Sequence, residues 1–325
     1  MGDLLPWRLA WQVALYGSDG FYRRASGPAG HFTTSTHGPH AAVLAEALGR
    51  LADREGARHV VDVGAGRGEL LTALHAARPD LHLTGVDVVA RPERLPGGVA
   101  WLVSPGGSDL PAELRDLTDV LVVANEWLDV VPCTVATVRG GRLVEVDVDV
   151  ATGAEAPGGP LDPDDEAWAA AHWPADGLPD GARVEVGLTR DRAHADLLSR
   201  VRRGTVLVVD YAHDRVTRPL PGTLTAYRDG GIVDPVPDGS CDLTAHVALD
   251  TLDTDRVVTQ REALRALGVT GTVPDHSLAR TDPLGYLGAL SRSSAEASLL
   301  APRGLGGFGW ALTRLPRSGA TGAAD

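Results

Sequence analysis

The stretch Val60-Val61-Asp62-Val63-Gly64-Ala65-Gly66-Arg67-Gly68-Glu69-Leu70 constrains this chain more than any other. A β-branched run over residues 58–63 delivers an acid and then breaks into Gly-x-Gly-x-Gly. Glycine there permits left-handed backbone and close approaches that a Cβ would block. Residues 69–77 follow with helical periodicity and stop before Pro79. Strand, glycine turn and helix form the first half of a right-handed parallel crossover. Residues 81–87, 99–103 and 119–124 continue the rhythm as further strands. The fold class expected is α/β, with a doubly wound, mostly parallel, Rossmann-like sheet.

Beyond residue 133 the rhythm breaks. Residues 134–150 read as a hairpin turning at Gly140-Gly141. Residues 151–180, rich in Pro, Gly, Ala and acids, read as a surface excursion with one short helix over 166–172. Residues 191–203 read as a helix capped by Gly204, followed by an apolar strand over 205–211. The stretch 215–243 is turn-rich, and 256–260 and 308–314 are the last two strands, with a helix over 261–267 between them. The organisation expected is an N-terminal helical segment over 1–57 covering the active site and a core made of 58–133 and 190–317. An inserted excursion over 134–189 and a disordered tail over 318–325 complete it.

Composition excludes several functions. The net charge is −13, and all 30 basic residues are Arg. An acidic surface repels phosphate backbones, so nucleic acid is not an expected partner. Arg200, Arg202 and Arg203 sit where a helix is expected to end and complement its dipole. Two cysteines, Cys133 and Cys241, supply neither a disulfide framework nor a zinc quartet. His31, His37 and His40 share one loop, but Gly38-Pro39 prevents helical presentation of the latter two, and no metal site is expected. With no apolar run of membrane-spanning length and no signal arrangement, the expectation is a cytoplasmic protein without a membrane partner.

Two nucleotide-type ligands use a glycine loop of this kind. Dinucleotide enzymes need Gly-x-Gly-x-x-Gly, with the pyrophosphate resting on the helix N-terminus. Here the third glycine comes one position early, and Glu69 competes for the positive end of the helix. S-adenosyl-L-methionine carries an ammonium, a sulfonium and a carboxylate in place of phosphates. Asp62 suits the ammonium, the glycine amides of Gly64-Ala65-Gly66-Arg67-Gly68 suit the carboxylate, and Asp87, ending the second strand, suits the ribose hydroxyls. The spacing favours the methyl donor. A loop without a ligand and a nicotinamide-dependent oxidoreductase are the alternatives.

A second stretch, Val122-Val123-Ala124-Asn125-Glu126-Trp127-Leu128-Asp129-Val130-Val131-Pro132, runs an apolar strand into an amide and two acids. Ligands of open α/β sheets bind outside the carboxyl ends of the strands, where strand order reverses. Asn125 and Glu126 are therefore expected to face the transferable methyl group, and Asp129 joins them if a helical turn follows.

This stretch resembles the Ala-Asn-Glu-Phe-Phe-Asp-Ala-Leu-Pro signature of the MidA family. These are class I S-adenosylmethionine-dependent methyltransferases, including the mitochondrial complex I assembly factor that methylates a protein arginine. Leu15-Tyr16, Gly20-Phe21-Tyr22 and Gly30-His31-Phe32-Thr33-Thr34-Ser35 are similar to the family's opening landmarks. Val209-Asp210-Tyr211, Gly222-Thr223-Leu224-Thr225-Ala226-Tyr227-Arg228 and Asp242-Leu243-Thr244-Ala245-His246-Val247 resemble later ones, in family order. Departures fall at His31, Thr36-His37 and Ala248 and in the stretch after Asp87, so the cofactor motifs are kept better than the surrounding pocket.

The resemblance implies a seven-stranded sheet with its last strand antiparallel. It implies S-adenosyl-L-methionine held by Asp62, Gly64, Ala65, Gly66, Gly68, Asp87, Asn125, Thr34 and Ser35, with catalysis by Glu126, Asp129 and His246. The partner implied is a methyl acceptor on a protein. For a guanidinium, Glu126 and Asp129 would hold it in a bidentate, charge-assisted way; for a hydroxyl or amine, His246 is the more useful base. A catalytically weak S-adenosylmethionine-binding scaffold is the remaining alternative.

Overall fold

The computed structural model describes residues 4–24, 36 and 38–316. In chain order, β1 (Leu4–Pro6), α1 (Trp7–Tyr16) and α2 (Gly38–Glu55) precede an alternating core. That core is β2 (His59–Val63), α3 (Glu69–Ala77), β3 (His82–Asp87), β4 (Val99–Val103) and β5 (Leu117–Asn125). The chain then leaves it through β6 (Thr134–Arg139), β7 (Arg142–Asp149), β8 (Glu155–Pro160), α4 (Pro163–His172) and β9 (Arg183–Val186). It returns by α5 (Leu188–Ser199) and β10 (Val201–Asp210). Five short strands follow: β11 (Ala212–His213), β12 (Thr225–Arg228), β13 (Gly231–Val233), β14 (Asp242–Thr244) and β15 (Val247–Ala248). The end is β16 (Arg256–Thr259), α6 (Gln260–Ala266), α7 (Leu278–Thr281), α8 (Pro283–Leu299) and β17 (Gly309–Leu315).

The main sheet has the order β16-β17-β10-β5-β2-β3-β4. Strands β10, β5, β2, β3 and β4 run parallel, and β17 lies antiparallel between β10 and β16. Strands buried on both faces need near-continuous apolar runs, which β2, β5 and β10 supply. Val60, Leu121, Val123, Leu207 and Val209 point into one core with α2, α3, α6 and α8. Val61, Val122, Val206 and Val208 point into the other, where α5 is the one contributing helix among the described residues. The winding is thus unequal, and loops around Leu110, Leu128 and Leu249 complete the second layer.

A second sheet has the order β1-β7-β6-β9, with β8 on β7. Trp7, Trp11 and Leu15 of α1 pack against its Val135, Val146 and Val148 and against Leu243 of β14. The excursion is therefore an ordered sheet with its own apolar face. The expected N-terminal cover divides in two: α1 belongs to this second unit, whereas α2 buries Val43, Leu44, Leu48 and Leu51 in the main core.

Three further expectations are corrected. The helix expected to reach Arg203 ends at Ser199, where Arg200 donates to the carbonyls of Pro111 and Leu114 at 2.8 and 2.9 Å. Gly204, with φ 152°, is no helix cap; it lies beside a register shift in β10, where a Cβ would strike the Val120 carbonyl. Arg202 and Arg203 accordingly pair with Asp116 and Asp119, at 2.6 and 2.9 Å, and not with a helix dipole. Helix α8 is an addition that its Gly- and Ser-rich sequence hid. The tail expectation lies outside the described residues.

Candidate active site

Strand order reverses between β2 and β5, and a cavity opens outside their carboxyl ends. Its floor is the glycine loop. Gly64 and Gly66 line it with φ of 76° and 58°, left-handed backbone that glycine adopts without strain. Gly68, also left-handed at 79°, caps α3 and abuts Leu95, so it is not part of the lining.

The loop amides are already used. Gly64 and Ala65 donate to the Val86 carbonyl at 2.9 and 3.1 Å, and Gly68 donates to the Ala65 carbonyl at 2.8 Å. Gly66 donates to Asp87 Oδ2 at 2.8 Å, and Arg67 to Glu69 Oε2 at 3.0 Å. The expectation that these amides serve a ligand carboxylate is therefore corrected. At Gly64 and Gly66 the loop presents bare backbone, with Ala65 and Arg67 beside it, and its donors fix the acids around it.

Those acids differ in charge. Asp87 accepts Gly66 and, at 3.2 Å, Val89; burial pushes its carboxyl up to about 6 while these amide donors pull it down. Asp62, 3% exposed, is pushed up to about 8, first by burial and then by Asp87 and Glu69. Near neutrality Asp62 is mostly protonated in the ligand-free protein and Asp87 mostly ionised.

At the other end, Asn125 closes β5 and Glu126 turns the chain with φ 53°, a conformation costing a non-glycine residue about 1–3 kcal/mol. The turn is held by the Glu126 amide on the Val209 carbonyl at 2.8 Å, and Asn125 Nδ2 holds Glu126 Oε1 at 3.0 Å. Asp129 Oδ2 accepts the Thr244 hydroxyl at 2.7 Å, and Asp242 accepts the Tyr22 hydroxyl at 2.6 Å. Burial raises both carboxyls above the ordinary range. Tyr16, Tyr22, Tyr211 and Tyr227 complete the wall, with the Tyr16 and Tyr22 rings 5.4 Å apart. Beneath it, buried Arg190 donates to the carbonyls of Val131, His246 and Asp129 at 3.1, 2.9 and 2.9 Å and lies over the Trp11 ring.

Asp62, Gly64, Ala65, Gly66, Asp87, Asn125, Glu126 and Asp129 thus line one cavity. His246 does not. It stacks behind Tyr211, ring centroids 5.5 Å apart at 17°, and burial lowers its pKa. Thr34 and Ser35, with His31 and His37, lie outside the described residues, although Thr36 reaches the lining. Tyr16, Tyr22, Tyr211, Tyr227, Asp242 and Thr244 are additions, and each falls in a stretch already resembling a family landmark. Arg190 gave no signal, since it reads as one more surface Arg between Thr189 and Asp191. Among the described residues no group of His, Cys, Asp or Glu is placed to hold a metal, and no helix is long and apolar enough to cross a membrane.

A glycine-rich loop, an acid at each of two adjacent strand ends and a cavity at the sheet's reversal define the class I methyltransferase arrangement. Residues 87–270, over half of the chain, match the family described as "Putative S-adenosyl-L-methionine-dependent methyltransferase", and the chain belongs to that family. The enzyme is thus a methyltransferase using S-adenosyl-L-methionine. Two solved structures from Burkholderia thailandensis are similar over 98% of this chain and 89% of theirs. One, bound to S-adenosyl-homocysteine, is 22% identical with a TM-score of 0.78; the other, a native crystal form, is 23% identical with a TM-score of 0.74. At that identity they speak for the fold. A search of the curated proteins found no match.

Proposed function

We propose that the protein methylates a guanidinium nitrogen of an arginine in a polypeptide. The observation carrying this reading is the convergence of Glu126, Asp129 and Asp242 with four tyrosines at the carboxyl end of β5. Carboxylates hold a planar cation by bidentate hydrogen bonds, and tyrosine faces attract it further. A neutral hydroxyl needs neither, and His246, the base it would use, stands behind Tyr211.

The cavity fits the methyl donor. Asp62 would hold its ammonium and Asp87 its ribose, Gly64 and Gly66 leave room where a Cβ would intrude, and the apolar side at Val88, Val89 and Leu110 would take the base. When bound, S-adenosyl-L-methionine supplies an electrophilic methyl group on a sulfonium. Asn125 fixes the Glu126 carboxylate, and Glu126 orients one acceptor nitrogen while the tyrosines exclude water. As that nitrogen gains the methyl group it sheds one proton, which Glu126 is placed to receive.

The test is transfer of a tritiated methyl group to arginine-containing peptides and to protein extract, followed by acid hydrolysis and chromatography. Label in methylarginine is expected. Label recovered only in another amino acid, or released as a volatile ester product, would overturn the acceptor.

A further inference from the structure

Two carboxyl groups are buried against each other beneath the acceptor end. Asp129, 3% exposed, lies on the cavity wall, and Asp210, 0% exposed, ends β10 behind it. Asp210 accepts from the amide of Leu128, the residue before Asp129, and after burial it is the charge of Asp129 that raises the Asp210 carboxyl furthest. One oxygen of each is held elsewhere: Asp129 Oδ2 by the Thr244 hydroxyl at 2.7 Å, Asp210 Oδ2 by the Leu128 amide at 3.0 Å. The remaining oxygens, Asp129 Oδ1 and Asp210 Oδ1, are buried and have no donor among the described residues. Two neighbouring carboxylates away from water do not both ionise, and one proton shared between these two oxygens would supply the donor both lack.

The surroundings leave the pair to protons. Arg190 of α5 is the cation facing it, and its three short donations go to backbone carbonyls. Glu126 after β5 adds negative charge, and Asp242 of β14, its own carboxyl raised by burial, feels the charge of Asp129. Tyr211, Tyr227, Tyr16 and Tyr22 are themselves held neutral by burial.

We propose that Asp129 and Asp210 hold a single proton between them, and that Asp210 is a positioning residue, the neutral partner that presents an ionised Asp129 to the cationic methyl acceptor. The second half rests on the acceptor reading above; the first does not. Asp210→Asn imitates the neutral acid, because its amide nitrogen can donate to Asp129 and its amide oxygen can accept from Leu128. Asp210→Ala removes both.

Three readouts test this. In infrared difference spectra at neutral pH, the ligand-free wild type should show a protonated-carboxyl band that Asp210→Asn lacks. In thermal melts, a carboxyl whose folded pKa is raised makes the wild type lose stability as pH rises, from about 4 upward. The melting temperature of Asp210→Asn relative to wild type should therefore climb between about pH 4 and pH 7. In transfer assays, Asp210→Ala should raise the acceptor KM about tenfold with S-adenosyl-L-methionine binding retained, equivalent to about 1.4 kcal/mol, and Asp210→Asn should restore most of it. An unchanged band, or a melting difference that falls with pH, would refute the shared proton whatever the acceptor is. Asn as impaired as Ala would refute the positioning role. Spectra and melts as expected, with no transfer to an arginine peptide, would count against the acceptor reading alone.

Discussion

Replacing Arg190 by Met keeps most of the side chain's volume and removes every donor. Its guanidinium bridges two segments, bonding Val131 and Asp129 on one and His246 on the other. The Asp129 carbonyl also accepts the Ala245 amide at 3.1 Å, so it keeps a partner. The Val131 and His246 carbonyls bear the larger loss, at about 1–3 kcal/mol each for a buried polar group deprived of its donor. The contact with Trp11, 5.6 Å from the guanidinium carbon to the ring centroid, adds about 0.5–2 kcal/mol. Relief of the buried charge offsets part of the sum, which leaves a net destabilisation of about 3–4 kcal/mol. Arg190→Lys keeps a charge but not a fork able to reach three carbonyls, and should lose about half as much. The measurement is urea unfolding with the slope unchanged between variants. Folded Arg190→Met should still bind S-adenosyl-L-methionine, whose proposed contacts lie on β2 and β3, and fail in transfer. A loss below about 1 kcal/mol, or Lys equal to Arg, would refute the clamp.

Other consequences follow from the same geometry. Because Asp62 sits at about 8 without ligand, binding a cation beside it at pH 7 should release a proton, seen as a calorimetric enthalpy that varies with the buffer's ionisation enthalpy; Asp62→Asn should abolish that release and weaken binding. Asp87→Ala should weaken S-adenosyl-L-methionine binding about 10- to 100-fold, through lost hydrogen bonds worth about 1–3 kcal/mol. In wild type, affinity should fall as pH drops through about 6, where Asp87 takes up its proton, which titration calorimetry across pH would show. Gly66→Val places a branched side chain at φ 58° on the cavity floor and should abolish binding in calorimetry, with the far-ultraviolet spectrum retained. Glu126→Gln keeps shape and drops charge, so it should bind S-adenosyl-L-methionine like wild type and lose tritium transfer; equal labelling would remove Glu126 from catalysis.

The half of the cavity proposed to take the donor was legible as a cluster because local chemistry brings its residues together. Asp62, the glycines at 64 and 66, and Asp87 sit within a strand, turn, helix and strand whose register is set by backbone pairing, so sequence spacing becomes spatial proximity. The half proposed for the acceptor is assembled from distant segments. Asp129 meets Thr244, 115 residues on, and Leu128 meets Asp210, 82 residues on, through folding that no local period announces. The same limit hid the second sheet, where β1 pairs with β7 across most of the N-terminal half. His246 was misplaced for a related reason: the landmark containing it does approach the cavity, but Asp242 and Thr244 reach the wall and His246 faces the back of Tyr211.

The cavity wall concentrates acids, Asp62, Asp87, Asp129 and Asp242 among them, with Asp210 directly behind, and few are offset by a neighbouring cation. Burial raises the carboxyl pKa at every one of these sites, so the acids there are easier to protonate than exposed ones. By linkage, each such group lowers stability as pH rises from the ordinary carboxylate range towards its folded value. This stored penalty has a use. If the acceptor is the guanidinium proposed above, donor and acceptor both carry positive charge, and each favours ionisation of the acid it meets, so binding would convert a destabilising proton into an ion pair inside a site that excludes water. Neutral ligands of the same shape gain nothing from that exchange. The spent donor has lost its sulfonium charge but keeps the ammonium and ribose assigned to Asp62 and Asp87, so those two contacts would hold donor and product alike and discrimination falls to the acids nearer the sulfur.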